Sequence, residues 1–175
     1  MNKLLDCLII VHWPILMTIY YGCDIPEELY YHPEFDSWVR FEADDTAILG
    51  MTDVAQTAAG KLLYIRFKPV GKKIKAGRSG ATIESAKWVG PFRAPFEAEI
   101  LATNEEGFKT DILSVNKDPY GLGWLLKVRV LQPETAREGL ITRAEAVAHF
   151  QKRIKENDIR CFRCVDDAVP MDLSK

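Results

Sequence analysis

Short runs of alternating hydrophobic and polar residues, separated by Gly and Pro turns, fill the middle of the chain and predict a mainly β protein. The runs expected to be strands are residues 38–42, 46–51 and 62–67. In the third run, Leu63, Ile65 and Phe67 are expected to share one face. Because each strand is apolar on one side, the simplest arrangement is two small antiparallel sheets packed face to face.

Helical signals are few and short. Thr52-Asp53 offers an N-cap for a helix over residues 54–59 that ends at Gly60, and residues 104–115 favour a short, irregular helix. After Pro133 a capping box, Thr142-Arg-Ala-Glu145, predicts a helix over residues 143–156. Its expected apolar stripe is Ala144, Val147, Ala148, Phe150 and Ile154. Residues 159–165 then alternate as a strand would.

One lysine lies at a predicted turn. The β-branched pair Thr82 and Ile83 leads into Glu-Ser-Ala-Lys87-Trp, which we expect to end at Gly90-Pro91. Residues 92–94 and 96–103 follow as extended segments, broken at Pro95. Two extended segments joined by a short polar connection are typical of a hairpin, so Lys87 is expected to point into water. By itself this predicts a solvated surface charge.

The surrounding motifs change that interpretation. Glu84-Ser85-Ala86-Lys87 resembles the lipoyl-attachment turn of the glycine-cleavage H protein family. Two further segments resemble the same family in the same order: Met-Thr-Asp-Val-Ala-Gln over residues 51–56 followed by Gly60, and Val-Asn-Lys-Asp-Pro-Tyr-Gly-Leu-Gly-Trp-Leu over residues 115–125. The resemblance covers residues 30–130.

The resemblance implies a lipoyl-type barrel-sandwich and a carrier that catalyses nothing itself. Lipoic acid would form an amide with Lys87, giving an arm that reaches on the order of 14 Å beyond the backbone. Glu84, Ser85 and Trp88 would serve turn recognition and shielding. The implied partners are lipoate-protein ligase, dihydrolipoamide dehydrogenase, and either the glycine cleavage P, T and L proteins or a heterodisulfide-reductase-like complex.

The cargo is the point at which the sequence departs from the family. In H proteins, two carboxylates hold the amino group of an aminomethyl cargo; this chain has Ser37 and Pro91 at the matching positions. A buried ammonium without a counter-charge is costly. Asp36 offers partial substitution, but its side chain is expected to face opposite to Ser37. In Lys87-Trp-Val-Gly-Pro91, Gly22-Cys23 and Ile25-Pro-Glu-Glu-Leu-Tyr-Tyr31, the chain resembles more closely the H-like lipoate-binding proteins of heterodisulfide-reductase-like sulfur oxidation. This resemblance implies a sulfur cargo.

Composition restricts the possible partners and the compartment of the protein. The net charge is −2 with both signs interspersed, which predicts neither a nucleic-acid partner nor a membrane surface. Four cysteines do not make a disulfide framework in 175 residues, three histidines suggest no metal site, and a reducing cytoplasm is expected. Cys161-Phe-Arg-Cys164 is interpreted as structural or incidental thiols rather than a redox pair, and Cys23 as a packed residue.

The expected organisation is an N-terminal extension over residues 1–24, a lipoyl-carrier domain over 25–132, and a C-terminal helix and tail over 133–175 that pack on the core. The apolar run in residues 1–17 is too short and broken for a transmembrane helix and is interpreted as a disordered or misassigned start. A biotin carrier is disfavoured because Ala86-Lys87-Trp88 is not a Met-Lys-Met turn. An unmodified scaffold stays open.

Overall fold

A computed structural model describes residues 18–161 of the 175-residue chain. The strands are β1 (Thr18–Tyr20), β2 (Cys23–Ile25), β3 (Tyr30–His32), β4 (Ser37–Phe41), β5 (Thr46–Met51), β6 (Leu62–Phe67), β7 (Lys73–Ile74), β8 (Ser79–Ser85), β9 (Val89–Arg93), β10 (Ala98–Thr103) and β11 (Leu126–Val130). The helices are α1 (Asp53–Ala59), α2 (Glu105–Thr110), α3 (Ser114–Lys117) and α4 (Arg143–Glu156).

Two antiparallel sheets form the body of the protein. One has the strand order β3-β4-β5-β11-β10-β7 and the other the order β6-β8-β9, while β1 and β2 form a separate two-stranded ribbon. The inner faces of the two larger sheets enclose one apolar core, to which Leu49, Ile83 and Ile100 contribute fully buried side chains. The predicted mainly β fold with two sheets, short helices and a C-terminal helix is confirmed.

Several predicted elements have the expected bounds. β5, β6 and α4 span the predicted residues. Helix α1 begins at Asp53 and is capped by Thr52, whose hydroxyl accepts a hydrogen bond from the Ala55 N–H at 3.1 Å. The region 104–115 holds two short helices, α2 and the start of α3. The three short strands β1 to β3 were not predicted, because each has only three residues and alternation needs a longer run to be visible.

Two predictions about the strands near the lysine turn are wrong. In β6 a register shift between Leu62 and Tyr64 turns Leu63 outward, so the inward residues are Leu62 and Ile65. Gly90-Pro91 does not stop the hairpin but lies inside β9, where Pro91 is the register partner of Thr82. Proline is tolerated there because β9 is an edge strand of its sheet.

A second core joins the two ends of the described chain. Helix α4 buries Ala146, Phe150 and Ile154, spaced four residues apart, against Tyr31 and Trp38. The predicted stripe was therefore partly wrong, since Ala144 and Ala148 are exposed. The capping box at Thr142 is confirmed. Its position fixes the start of the helix beside β3, where Tyr31 and Ile141 exchange backbone hydrogen bonds of 2.9 and 2.8 Å.

The expectation of free thiols is wrong for two cysteines. Cys23 in β2 and Cys161, which follows α4, form a disulfide across 138 residues of sequence, and both are buried. Sequence spacing could not indicate this pairing, because the two residues meet only after α4 has packed on the second core. Residues 159–161 are not a strand, while Cys164 and residues 1–17 lie outside the described part of the chain.

Because the disulfide closes a loop of well over 100 residues, removing it should cost about 2–4 kcal/mol of unfolding free energy. We expect Cys161→Ser to lower the denaturant midpoint, and Cys23→Ser/Cys161→Ser to behave like the wild-type protein unfolded in the presence of a thiol reductant. Equal midpoints for the oxidised wild type and the double variant would contradict the pairing.

Candidate functional site

Lys87 lies at the tip of the hairpin between β8 and β9, in a turn organised by Ser85. The backbone N–H of Ser85 donates to the Trp88 carbonyl at 2.8 Å. The Ser85 hydroxyl accepts from the N–H groups of Lys87 and Trp88 at 3.2 and 3.1 Å and donates to the Ala59 carbonyl at 2.7 Å. One buried hydroxyl therefore fixes the turn and joins it to the end of α1.

The lysine side chain is exposed and passes over Gly60. Gly60 ends α1 with φ of 80°, a left-handed conformation that favours glycine, and a Cβ at this position would lie 3.7 Å from Lys87 Cδ. Within the described chain, Lys87 is in no ion pair. The Lys87 amine is therefore exposed to solvent at the end of a turn whose backbone is held in place.

Asn116 joins the 115–125 motif to the lysine turn. Its side-chain amide donates to Gln56 Oε1 at 2.7 Å and to the Gly60 carbonyl at 3.2 Å, and its oxygen accepts from the Leu62 N–H at 3.2 Å. Gln56 in turn donates to Asp53 Oδ1 at 2.7 Å. These bonds connect the α3 loop, α1 and the start of β6 beneath Lys87.

The remaining motif residues complete this support. Asp53 accepts from the Asp24 N–H at 2.8 Å, and the Tyr120 hydroxyl accepts from the Asp53 N–H and donates to the Asp24 carbonyl. Trp38 donates its indole N–H to the Pro119 carbonyl at 2.9 Å. The contacts support the interpretation that the 115–125 segment is structural and holds the sandwich closed near the lysine.

A cleft of about 470 Å³ opens beside Lys87. Its wall is mainly apolar, and its charged lining groups come from several elements. The apolar lining residues include Met51, Ala55, Ile83, Trp88, Pro91 and Phe92, and the charged ones are Glu34, Asp36, Lys87, Arg93 and Arg153. An aliphatic chain attached to Lys87 could therefore be sheltered from water next to its own attachment point.

Asp36 lies in this cleft and pairs with Arg153 of α4. The expectation that Asp36 faces opposite to Ser37 agrees with the cleft, which Asp36 lines and Ser37 does not. Asp36 precedes β4 with φ of 52°, so strand alternation does not govern its side chain. Burial raises the pKa of the Asp36 carboxyl above its ordinary value, and the hydrogen bond and charge of Arg153 oppose that rise.

The two positions that depart from the family pattern differ in their surroundings. Pro91 lines the cleft and is exposed. Ser37 is fully buried, lies outside the cleft lining, and its hydroxyl has no hydrogen-bond partner among residues 18–161. Neither position supplies a charge to the cleft.

The other predicted turn residues have distinct places. Glu84 is exposed on the outer face of β8, between Tyr64 and Val89 in register, and does not contact the Ser85 hydroxyl network. The Trp88 ring covers Gly90, where an added Cβ would overlap it, and also lines the cleft. Ser85 and Trp88 therefore shape the turn, whereas Glu84 faces solvent.

The site fits a group linked by an amide to Lys87. The amine is accessible, the turn beneath it is held by buried hydrogen bonds, and the adjacent cleft is large and mainly apolar. No cluster of three or more His, Cys, Asp or Glu among the described residues could hold a metal ion. None of the helices in residues 18–161 is long and apolar enough to cross a membrane.

Some functional residues were missed by sequence reasoning. Arg153 was assigned only to a helix, and the pairing of Gln56 with Asn116 joins residues 60 positions apart. The sequence did offer one signal, which is a side-chain amide in each of the two motifs on either side of the lysine turn, Gln56 in 51–56 and Asn116 in 115–125. Without the fold, their partners could not be identified.

Ser85→Ala should cost about 1–3 kcal/mol, because the Ala59 carbonyl and two turn N–H groups lose their common partner. Amide hydrogen exchange at Lys87 and Trp88 should accelerate. Ser79→Ala is the matched control at the other end of β8, where the hydroxyl makes one bond to the Ala81 carbonyl. Equal effects of the two substitutions would contradict the role of Ser85.

Arg153→Gln should raise the pKa of Asp36 further, since the charge that opposes burial is removed. The folded protein would then bind this proton more tightly than the unfolded chain, so stability should fall as pH rises above the ordinary value of 3.8. Carboxyl-carbon NMR titration measures the shift, with Lys152→Gln as a control on the same helix. An unchanged Asp36 titration would show that the pair does not form in solution.

Comparison with known proteins gives a consistent family assignment. The glycine cleavage H-protein family matches residues 29–153. "Glycine cleavage system H protein 3" of Aquifex aeolicus is 46% identical over 149 residues, covering 83% of this chain and 92% of the relative. "Probable glycine cleavage system H protein 2" of Sulfolobus acidocaldarius is 39% identical, covering 84% and 99%.

Among solved structures, the crystal structure of a glycine cleavage system H protein from Mycobacterium marinum is similar, with a TM-score of 0.64 and 30% sequence identity. The match covers 73% of this chain and 99% of the Mycobacterium marinum chain. The chain therefore belongs to the glycine cleavage H-protein family, whose members are non-catalytic carriers of a lipoyl group attached covalently to a lysine.

Proposed function

We propose that the chain is a lipoyl carrier whose arm is attached at Lys87 and carries sulfur between partner enzymes of cytoplasmic sulfur oxidation. The observation that carries the proposal is the combination of an exposed Lys87 on a fixed turn with a cleft whose half-buried carboxylate, Asp36, is already paired with Arg153. The exposed Lys87 supports an attached lipoyl arm. The pairing of Asp36 with Arg153 bears on which cargo that arm carries.

The chain's own residues would position and shelter the arm. Ser85 and Gly60 hold the backbone from which Lys87 projects, so that the attachment point does not move when a partner approaches. Apolar side chains such as Ile83 and Phe92 would exclude water from the part of the arm in the cleft. When attached, a lipoyl group supplies two tethered sulfurs capable of thiol–disulfide exchange.

The charge of the cleft argues against an ammonium cargo. Once Lys87 is an amide, the charged lining groups are two carboxylates, Glu34 and Asp36, and two guanidinium groups, Arg93 and Arg153. Glu34 is exposed at the rim, and the charge of Asp36 is already offset by Arg153, so a bound ammonium group would gain little from it. An uncharged or anionic sulfur group does not need a free carboxylate.

The names of the relatives are consistent with several H proteins of different function in one organism. Three relatives in Aquifex aeolicus are named glycine cleavage system H protein 2, 3 and 5. Several H proteins in one organism are expected where some serve chemistry other than glycine cleavage. A cytoplasmic location is part of the proposal, and the buried Cys23–Cys161 disulfide is sheltered there from exchange with soluble thiols.

The principal alternative is an H protein that carries the aminomethyl group in glycine cleavage with the P, T and L proteins. The observation that favours it is Asp36, a carboxylate within the cleft. Under the sulfur hypothesis the partners are a heterodisulfide-reductase-like complex and dihydrolipoamide dehydrogenase. Both alternatives need lipoate-protein ligase, whereas an unmodified interaction scaffold would need none of these enzymes.

The cargo can be tested by restoring the missing carboxylate. After incubation with glycine and the glycine-cleavage P protein, the lipoylated wild type should lose an aminomethyl adduct rapidly. Pro91→Asp should retain it about tenfold longer, which corresponds to about 1.4 kcal/mol of charge-assisted hydrogen bonding. Val89→Asp is the control, because Val89 is exposed on the same strand but does not line the cleft. Long retention by the wild type would favour the glycine alternative.

The sulfur cargo has its own measurement. Protein isolated from its own organism should show, in its intact mass, a lipoyl increment and a further sulfur increment that thiol reduction removes. Both increments should be absent from Lys87→Arg. An aminomethyl increment in place of sulfur would contradict the sulfur hypothesis, and the absence of any cargo from cells oxidising sulfur would do the same.

A further inference from the structure

The cleft beside Lys87 has two ends, and helix α1 runs between them. At one end the Lys87 side chain lies over Gly60, which ends α1. At the other end the Asp36 carbonyl accepts from the N–H of Thr52, the cap of α1, at 3.0 Å. The seven residues of α1 span about 11 Å at the ordinary rise of a helix. Lys87 and Asp36, which both line the cleft, therefore lie at opposite ends of it.

Arg93 lies at the Asp36 end of the same cleft. Strand β9 runs away from the lysine turn, and Arg93 is four residues beyond Val89, a distance of about 13 Å along the strand. The Arg93 guanidinium donates to the Gly77 carbonyl at 2.8 Å. Phe35, the neighbour of Asp36, is beside the same glycine, since a Cβ added at Gly77 would lie 3.7 Å from the Phe35 ring. Arg93, Phe35 and Asp36 thus lie together at this end.

The length of the cleft matches the length of the arm. An arm attached at Lys87 reaches about 14 Å beyond the backbone. The far end of the cleft is about 11 Å away along α1 and about 13 Å away along β9. The apolar side chains of Ile83 and Phe92 lie between the two ends and suit the aliphatic part of the arm. An arm that lies in the cleft is therefore long enough to bring its two sulfurs to Arg93.

The two carboxylates at this end already have cationic or titratable neighbours. Asp36 pairs with Arg153 of α4. Glu34 is exposed and close to His32: burial lowers the pKa of the His32 ring, and the carboxylates of Glu34 and Asp36 oppose that fall. Neither carboxylate is within ion-pair distance of Arg93.

Arg93 is the cation at this end that has no counter-ion. It is in no ion pair within residues 18–161. Its hydrogen bond to the Gly77 carbonyl restrains the guanidinium and leaves the other N–H donors available. A guanidinium held in this way presents planar donors that suit an anion.

We propose that Arg93 binds the anionic end of a sulfur group carried on the arm, so that the cargo is an anion. This inference rests on the proposed carrier function and narrows the class of its cargo. Two sulfur groups share the required chemistry, an S-sulfonate and a persulfide anion. Both place negative charge beyond the arm sulfur, where charge-assisted hydrogen bonds from Arg93 can reach it.

Both groups can be formed on the lipoylated full chain with simple nucleophiles. Sulfite attacks one sulfur of the dithiolane and forms a new S–S bond, while the ring S–S bond breaks and its electron pair leaves on the other sulfur as a thiolate. The attacking sulfur is oxidised and the ring disulfide is reduced by the same electron pair. Hydrosulfide reacts in the same way, and the proton of the resulting persulfide passes to the thiolate. The neutral thiol 2-mercaptoethanol gives an uncharged adduct.

The measurement is the equilibrium constant for adduct formation, obtained from intact masses over a series of nucleophile concentrations at low ionic strength. Arg93→Gln should lower the constant for an anionic adduct about fivefold, and the difference should shrink at high salt, because the guanidinium is exposed. Arg93→Lys should recover part of the loss, since lysine keeps the charge without the planar donors. The constant for 2-mercaptoethanol should stay within about 1.5-fold.

Arg66→Gln is the matched control. Arg66 is also an exposed arginine in a strand of the three-stranded sheet and in no ion pair of the described chain, but it does not line the cleft. Its substitution should leave all three constants within about 1.5-fold of the wild type. Glu34→Gln tests the opposite charge at the cleft rim, and it should leave the constants for anionic adducts equal or raise them.

A loss confined to sulfite would assign the S-sulfonate, and a loss confined to hydrosulfide would assign the persulfide. Equal constants for the wild type and Arg93→Gln with both nucleophiles would overturn the role of Arg93 and leave the carrier function intact. An equal loss of the 2-mercaptoethanol adduct would also overturn it, by showing a general effect on the cleft. Failure of the carrier function has a different signature, which is the absence of a lipoyl increment on Lys87 before any nucleophile is added.

Discussion

The hydrogen bonds of the Asn116 side chain are the constraint on which the lysine turn depends. This amide contacts α1 through Gln56 and Gly60 and contacts the start of β6 through Leu62. Ser85 then transmits the position of α1 to the hairpin through the Ala59 carbonyl. Because each of these groups is partly or fully buried, breaking one bond would leave a polar atom without a partner. The turn is therefore positioned by a polar network at the edge of the core rather than by the hairpin alone.

A carrier needs a fixed attachment point and a cleft that suits its cargo, and different parts of this structure supply the two. The network below Lys87 has no part in the chemistry of a cargo, while the cleft beside it determines which cargo is compatible. In this chain Asp36 reaches the cleft but shares its charge with Arg153 from α4. Helix α4 is itself held by the second core and by the disulfide that follows it. A distant packing element thus contributes to the electrostatics at the arm.

Local signals in the sequence were sufficient for much of the fold. Thr52 and Gly60 bound α1, and the Thr142–Glu145 capping box begins α4, because caps depend on residues within one turn. The family motifs also identified Lys87 as the residue of interest. What they could not give was any feature set by long-range packing, including the Cys23–Cys161 pair.

A backbone irregularity accounts for another difference. The outward position of Leu63 follows from a β-bulge. The bulge breaks the strict alternation from which side-chain directions are inferred, and it leaves no clear mark in the sequence.

The central claim is that Lys87 carries a lipoyl group in the living cell. It is tested most directly by mass spectrometry of the peptide containing Lys87, taken from protein isolated from its own organism. The account predicts a lipoyl increment on Lys87 and on no other lysine of the chain. An unmodified Lys87, in cells that lipoylate their other carrier proteins, would contradict the account and leave an interaction scaffold with the same fold.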